Sequence, residues 1–276
     1  MITALIDNGS LEPAAHLNLR RTADALAART GQAVHAVSWR HSDRIPRASL
    51  GGAPAATLIP WVLARLADGE REFLFIPFLI SPQGAIASSL RRDLEMLRRE
   101  EGDFSYSFTR GLADSDQVGD LAGIVVARIR ETIALRGLAR PAVIVVDHGG
   151  PERRSAELRD RIAAETRGLL GDEIGVLSAA SMEAPEGPEF AFNRPLFAEQ
   201  LAAPDFSGGD VVIMPLFLSP GRHAGPGGDL ERIARAAEAR NPGLKCAFCE
   251  LVGTHPLALE ALARGVDQSL PLLVLT

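Results

Sequence analysis

Short apolar runs punctuated by helical patterns organise this chain. Runs of five to seven apolar residues begin near Ile2, Val34, Phe73 and Phe104, and again near Val143, Ile174, Val211 and Cys246. Between them, apolar positions recur at the three- and four-residue spacing of helices facing a core. Strands that read as continuous apolar runs are buried on both faces, and their alternation with helices implies parallel sheets. The pattern therefore predicts two four-stranded α/β halves.

The halves are copies. ITALIDNGSLEPAAHLNLRRTADAL, from Ile2, matches AVIVVDHGGPERRSAELRDRIAAET, from Ala142: an apolar strand, then Asp-x-Gly-small, then a helix. FLFIPFLISPQGAIASSLRRDL, from Phe73, matches VVIMPLFLSPGRHAGPGGDLERI, from Val211. Asp7 and Asp147 stand 140 positions apart and Pro77 and Pro215 stand 138 apart, a near-constant interval that marks an internal duplication. The boundary falls near RGLARP, Arg136 to Pro141, giving domains 1–138 and 139–276. The expected fold is α/β, two similar doubly wound parallel-sheet domains facing each other across a cleft. In such sheets ligands bind beyond the carboxyl ends of the strands, where the DHGG and SPGRH turns fall.

Composition narrows the class. Of the 276 residues, 46% are hydrophobic and 23% charged, as in globular proteins, and no apolar run approaches the ~18 residues of a membrane span. The opening MITALID lacks the basic start and long apolar core of a secretory leader, which predicts a cytoplasmic protein. A formal net charge of -6 offers no general attraction for nucleic acid or anionic lipid, so neither is expected as a partner. The only cysteines, Cys246 and Cys249, form a CxxC on a strand-like segment with no second pair to complete a thiolate site. They are expected to be reduced and structural.

Candidate chemistry lies in one copy. DHGG stands where the first half reads DNGS, and SPGRH where it reads SPQGA, so His148 and His223 occur only in the second half. Two histidines at neighbouring strand-to-helix loops of one sheet, both missing from the sister half, point to a site kept once. A lone histidine in a turn more often serves local hydrogen bonding. His16 and His35 fall within a helix and a strand pattern and are expected to pack or face solvent; His41 lies in a polar loop. His255 precedes the last helix, where capping or support of a ligand is expected. The glycines after His223 and Asp229 at the next helix start suggest a loop offering N–H groups to an anion, although without the spacing of a nucleotide-phosphate loop.

A strand ending in DHGG, then PLFLSPGRHAG, then VGTHP before the last helix resembles the class II chelatases of tetrapyrrole biosynthesis, specifically the sirohydrochlorin cobaltochelatase and ferrochelatase family. The resemblance spans most of Ala142 to Leu270. It implies ATP-independent insertion of a divalent ion (Co2+, Fe2+ or Ni2+) into sirohydrochlorin or a related tetrapyrrole, with no nucleotide, by a monomer or homodimer.

By the same resemblance His148 and His223 hold the metal and help remove pyrrole protons, assisted by a carboxylate from SMEAPEGPEFAFNRP. Glu183, Glu186 and Glu189 all compete for that place, with Glu183 preferred as nearest the strand end. Gly149, Arg222 and Gly225 are expected to contact the tetrapyrrole, and Arg153, Arg154 and Arg194 lie beside the same loops. Neutral imidazole suits borderline divalent ions and also accepts protons near neutrality, and arginine suits the carboxylates of such a substrate. Two departures from the family pattern stand out: Gly150 where a serine is usual, and Arg194 where an acid usually precedes the proline.

Overall fold

The computed structural model describes residues 1–80, 85–113 and 118–269. Its strands are β1 (Ile2–Asp7), β2 (Val34–Ser38), β3 (Ala56–Thr57), β4 (Glu72–Pro77), β5 (Ser105–Phe108), β6 (Ala142–Asp147), β7 (Leu177–Ser181), β8 (Gly209–Pro215) and β9 (Leu244–Phe248). The α-helices are α1 (Pro13–Thr30), α2 (Leu58–Ala67), α3 (Ala85–Glu101), α4 (Gly119–Arg136), α5 (Arg153–Leu170), α6 (Phe197–Gln200), α7 (Asp229–Arg240) and α8 (Pro256–Ser269).

All pairings are parallel, in one sheet ordered β3-β2-β1-β4-β5 and another ordered β7-β6-β8-β9. Setting β3 aside, the orders coincide, as a duplication requires. The first sheet gains β3 at its edge, a strand of two residues too short to leave an apolar run in the sequence. The apolar run near Ile174 begins its strand only at Leu177, because Gly171–Glu173 first form a 3-10 turn.

The buried central strands account for the unbroken apolar runs. Val143, Ile144, Val145 and Val146 of β6 are fully buried, as are Ala4 and Leu5 of β1. Each such aliphatic side chain contributes on the order of 1.5–3 kcal/mol when removed from water. The helix α1 begins on Pro13 and ends at Gly31, whose φ of 71° permits its N–H to cap the Ala27 carbonyl.

The compact units part elsewhere than the repeat does. One comprises Met1–Asp114 with Pro256–Thr276, the other Ser115–His255. The helix that ends each repeat therefore joins the other unit: α4 packs on α5, β8 and β9, and α8 on α1 and β4. Division at 138 and 139 follows the sequence copies, but Leu121, Ile124, Val125 and Ile129 of α4 are buried in the unit that follows them. Among the described residues no helix is long and apolar enough to cross a membrane.

Candidate active site

The second unit brings its two loop histidines together. His148 follows the end of β6 and His223 lies in the loop between β8 and α7. Parallel pairing of β6 with β8 sets these loops side by side, and the imidazole centroids are 4.7 Å apart with the rings at 90°.

The turn carrying His148 is held tightly. Gly149 has φ of 83°, and a Cβ there would overlap the Glu183 carbonyl oxygen, so only glycine fits. The N–H of Glu183 donates to the His148 carbonyl (3.1 Å) and that of Met182 to the Asp147 carbonyl (2.8 Å). Asn193, buried beneath, accepts the Gly150 N–H at 3.0 Å and donates to the Gly150 carbonyl at 2.9 Å. A Cβ on Gly150 itself would meet open space, so the glycine in the serine's usual place leaves the turn intact.

This zipper brings Glu183 beside His148. The side chain of Glu183 comes within 3.7 Å of His148 Nε2, whereas Glu186 and Glu189 are exposed further along the loop. His148 and Glu183 are 45% and 60% exposed at their side chains and His223 30%, so the group opens to solvent. Among the described residues no three His, Cys, Asp or Glu side chains form a ready-made metal cage.

The ring nitrogens are divided in use. His148 Nδ1 lies 2.9 Å from the Gly149 carbonyl oxygen and His223 Nδ1 lies 2.6 Å from Asp229 Oδ2. Both partners are acceptors when Asp229 is ionised, so each Nδ1 carries the proton and each Nε2 keeps its lone pair. Burial lowers the pKa of His223, with the positive charges of His148 and Arg222 acting the same way and Glu183 opposing them. The neutral form, which can bind a metal or accept a proton, is thereby favoured.

Under this surface lies a polar anchor. Asp147 closes β6 in register with Ser181 of β7, and Ser181 donates to Asp147 Oδ1 at 2.6 Å. Arg159, fully buried on the inner stripe of α5, donates to Ser181 Oγ and lies 3.6 Å from Asp147 Oδ1. Burial raises the pKa of Asp147, opposed by the Ser181 hydrogen bond and the Arg159 charge.

The other expectations fare unevenly. Several N–H groups of the glycine loop around His223 are engaged within the chain. The N–H groups of Gly221, Gly228, Asp229 and Leu230 bond to carbonyls within the loop (2.8 to 3.1 Å), and that of Gly227 bonds to Glu231. Gly225, at φ of 111°, serves the bend itself. Arg222 is 78% exposed and 3.7 Å from Asp229, Arg153 stacks on Phe192, and Arg194 pairs with Glu199.

The remaining histidines are engaged elsewhere. His255 Nε2 lies 3.3 Å from Glu131 of α4, exposed His41 contacts Arg44, and His16 is buried in α1. Cys246 and Cys249 are free, and burial raises both thiols to about 12, which makes them inert.

Asn193, Arg159, Ser181 and the bond from Asp229 to His223 escaped sequence reading. The recurrence of serine at the ends of β2 and β7, Ser38 and Ser181, was the one available signal.

Comparison with known proteins bears on the fold. No curated protein sequence is similar enough to match the chain. Solved structures share its fold, three of them as follows. SirB from Bacillus subtilis with Fe3+ has a TM-score of 0.68 and 13% identity, covering 98% of this chain and 96% of its own. SirB from Bacillus subtilis subspecies spizizenii in complex with cobalt has 0.63 and 13%, covering 98% and 95%. CbiX, described as the terminal enzyme for biosynthesis of siroheme in denitrifying bacteria, has 0.61 and 17%, covering 98% of each chain. Residues 142–269, which include both histidines and Glu183, match the CbiX family model.

Proposed function

We propose that this protein inserts a divalent metal ion, Co2+ or Fe2+, into sirohydrochlorin or a closely related metal-free tetrapyrrole without a nucleotide. The observation that carries the reading is the meeting of His148 and His223 edge to face, 4.7 Å between centroids, with Glu183 beside His148. The cobalt and Fe3+ complexes of the SirB structures support a metal of this kind as the substrate.

In this reading the Nε2 atoms of His148 and His223 take the ion from water, and Glu183 supplies a carboxylate at its edge. Two imidazoles and one exposed acid leave positions free on the ion, so it can pass to the ring instead of being trapped. As the ion bonds to the four ring nitrogens, two pyrrole N–H protons must leave. Glu183 and the imidazoles, once free of the metal, accept them and return them to solvent. Arg222, exposed at the rim, meets a peripheral carboxylate of the tetrapyrrole. We assign this activity to the cytoplasm and to a monomer or homodimer, with no nucleic-acid or membrane partner.

The test is the absorbance change of sirohydrochlorin with Co2+ in the presence of native protein, His148→Ala, His223→Ala, or no protein. Metallation faster than the protein-free control, and reduced about 100-fold or more in each variant, is expected. A bound-tetrapyrrole spectrum with metallation at the control rate would instead identify a carrier of the same fold.

A further inference from the structure

His223 is fastened to the start of α7 at two points. Its carbonyl accepts the Leu230 N–H at 3.1 Å, and its Nδ1 meets Asp229 Oδ2 at 2.6 Å. The first residue of α7 and the second thus fix the backbone and the ring together. Gly228 makes the approach possible, since a Cβ there would stand 3.0 Å from the His223 carbonyl oxygen.

Asp229 is itself held. Its N–H donates to the Arg222 carbonyl at 3.0 Å, Arg232 one turn along α7 donates to Oδ1, and Arg222 Nε lies 3.7 Å from Oδ2. The carboxylate is 18% exposed, whereas the two arginines are largely in solvent. With Oδ1 occupied by Arg232, Oδ2 is the oxygen left to the imidazole.

We propose that Asp229 is the positioning residue of the site: it fixes His223 as the Nδ1–H tautomer and so presents Nε2 as the metal-binding nitrogen. His148 reaches the same tautomer through a neutral acceptor, the Gly149 carbonyl at 2.9 Å. The two ligands therefore differ in what sets the tautomer, a carboxylate for His223 and a backbone carbonyl for His148. The consequence for metal transfer rests on the chelatase reading, but the tautomer does not.

Long-range proton–nitrogen correlation spectra of histidine-labelled protein at mildly alkaline pH read the tautomer directly. Native protein should show His223 protonated at Nδ1. Asp229→Ala should move it toward the Nε2–H form, with His148 unchanged as an internal control of the fold, and should weaken Co2+ binding 10- to 100-fold. Asp229→Asn keeps an oxygen acceptor and a residue favourable at a helix start, and should restore the tautomer with part of the affinity.

Native His223 protonated at Nε2 overturns the proposal, and so does Asp229→Ala with unchanged tautomer or native Co2+ affinity. A protein showing the expected tautomers without metallating sirohydrochlorin would remove the chelatase reading and leave Asp229 in this role.

Discussion

In the first unit Asp7 shares Ser38 with His16, whereas in the second Asp147 shares Ser181 with Arg159. The backbone frames around these groups correspond. Asp7 pairs in register with Ser38 as Asp147 does with Ser181, and Gly9 lies against the Arg40 carbonyl as Gly149 lies against that of Glu183. The N–H of Arg40 donates to the Asn8 carbonyl as that of Glu183 donates to that of His148.

Two helices of equal length supply the difference. The inner stripe of α1 carries His16 and Leu19 where α5 carries Ala156 and Arg159. A short neutral ring in one unit is replaced by a long cation from the next helical turn in the other. The duplicated backbone tolerates either, but only the second unit places a buried positive charge beneath the turn that holds its histidine.

At the surface the contrast is inverted. Asn8 and Arg40 occupy the positions of His148 and Glu183, and Arg40 lies 4.0 Å over the Trp39 ring and 2.6 Å from Asp93. Neither Asn8 nor Arg40 supplies the imidazole and carboxylate that the second unit places there. The first copy's SPQG, residues 81–84, lies outside the described residues.

The sharpest way to break this comparison is to remove its surface pair. His148→Ala should slow metallation about 100-fold or more, and Asn8→Ala, its structural counterpart, should stay within about twofold. Equal losses in steady-state rate would mean that both frames serve the reaction.

Next come the buried anchors. Asp147→Asn removes the buried carboxylate beside Arg159, which keeps Asp160 at 2.7 Å, and should destabilise the protein by about 1–3 kcal/mol in urea titrations. Asp7→Asn removes no such pair, and its effect should depend on pH. Burial raises Asp7 from 3.8 to about 6, so its contribution is fully present below 3.8 and lost as pH rises through about 6. Burial lowers His16 from 6.5 to about 4, so between those values the native state binds fewer protons there than the unfolded chain, and stability rises with pH.

In the native protein the two slopes oppose each other. Asp7→Asn should unmask a rise on the order of 2 kcal/mol between acid and neutral pH, and His16→Gln a fall of similar size. Parallel pH profiles for the two variants would show that the pair does not titrate in this way. The smallest effect is expected from Gly150→Ser. Open space awaits the added side chain and the Asn193 bonds use only backbone atoms, so stability should change by less than about 0.5 kcal/mol, measurable as a near-unchanged urea midpoint.

Much of this was written in the chain. Continuous apolar runs alternating with helical periodicity determined parallel sheets, because only doubly covered strands bury both faces. The repeat interval determined that there are two of them, and the loss of both histidines from one copy located the candidate site. Tertiary structure alone decided the rest. The exchange of α4 and α8 between the compact units depends on which apolar face finds a sheet, and local pattern does not record that. A backbone zipper across two strands lays Glu183 beside His148, and Asn193 reaches Gly150 from 43 positions away. Arg159 reads in sequence as one more charge on an amphipathic helix. It acquires its meaning only when α5 folds down and lays it against Ser181 and Asp147, since a buried charge is defined by what surrounds it in space.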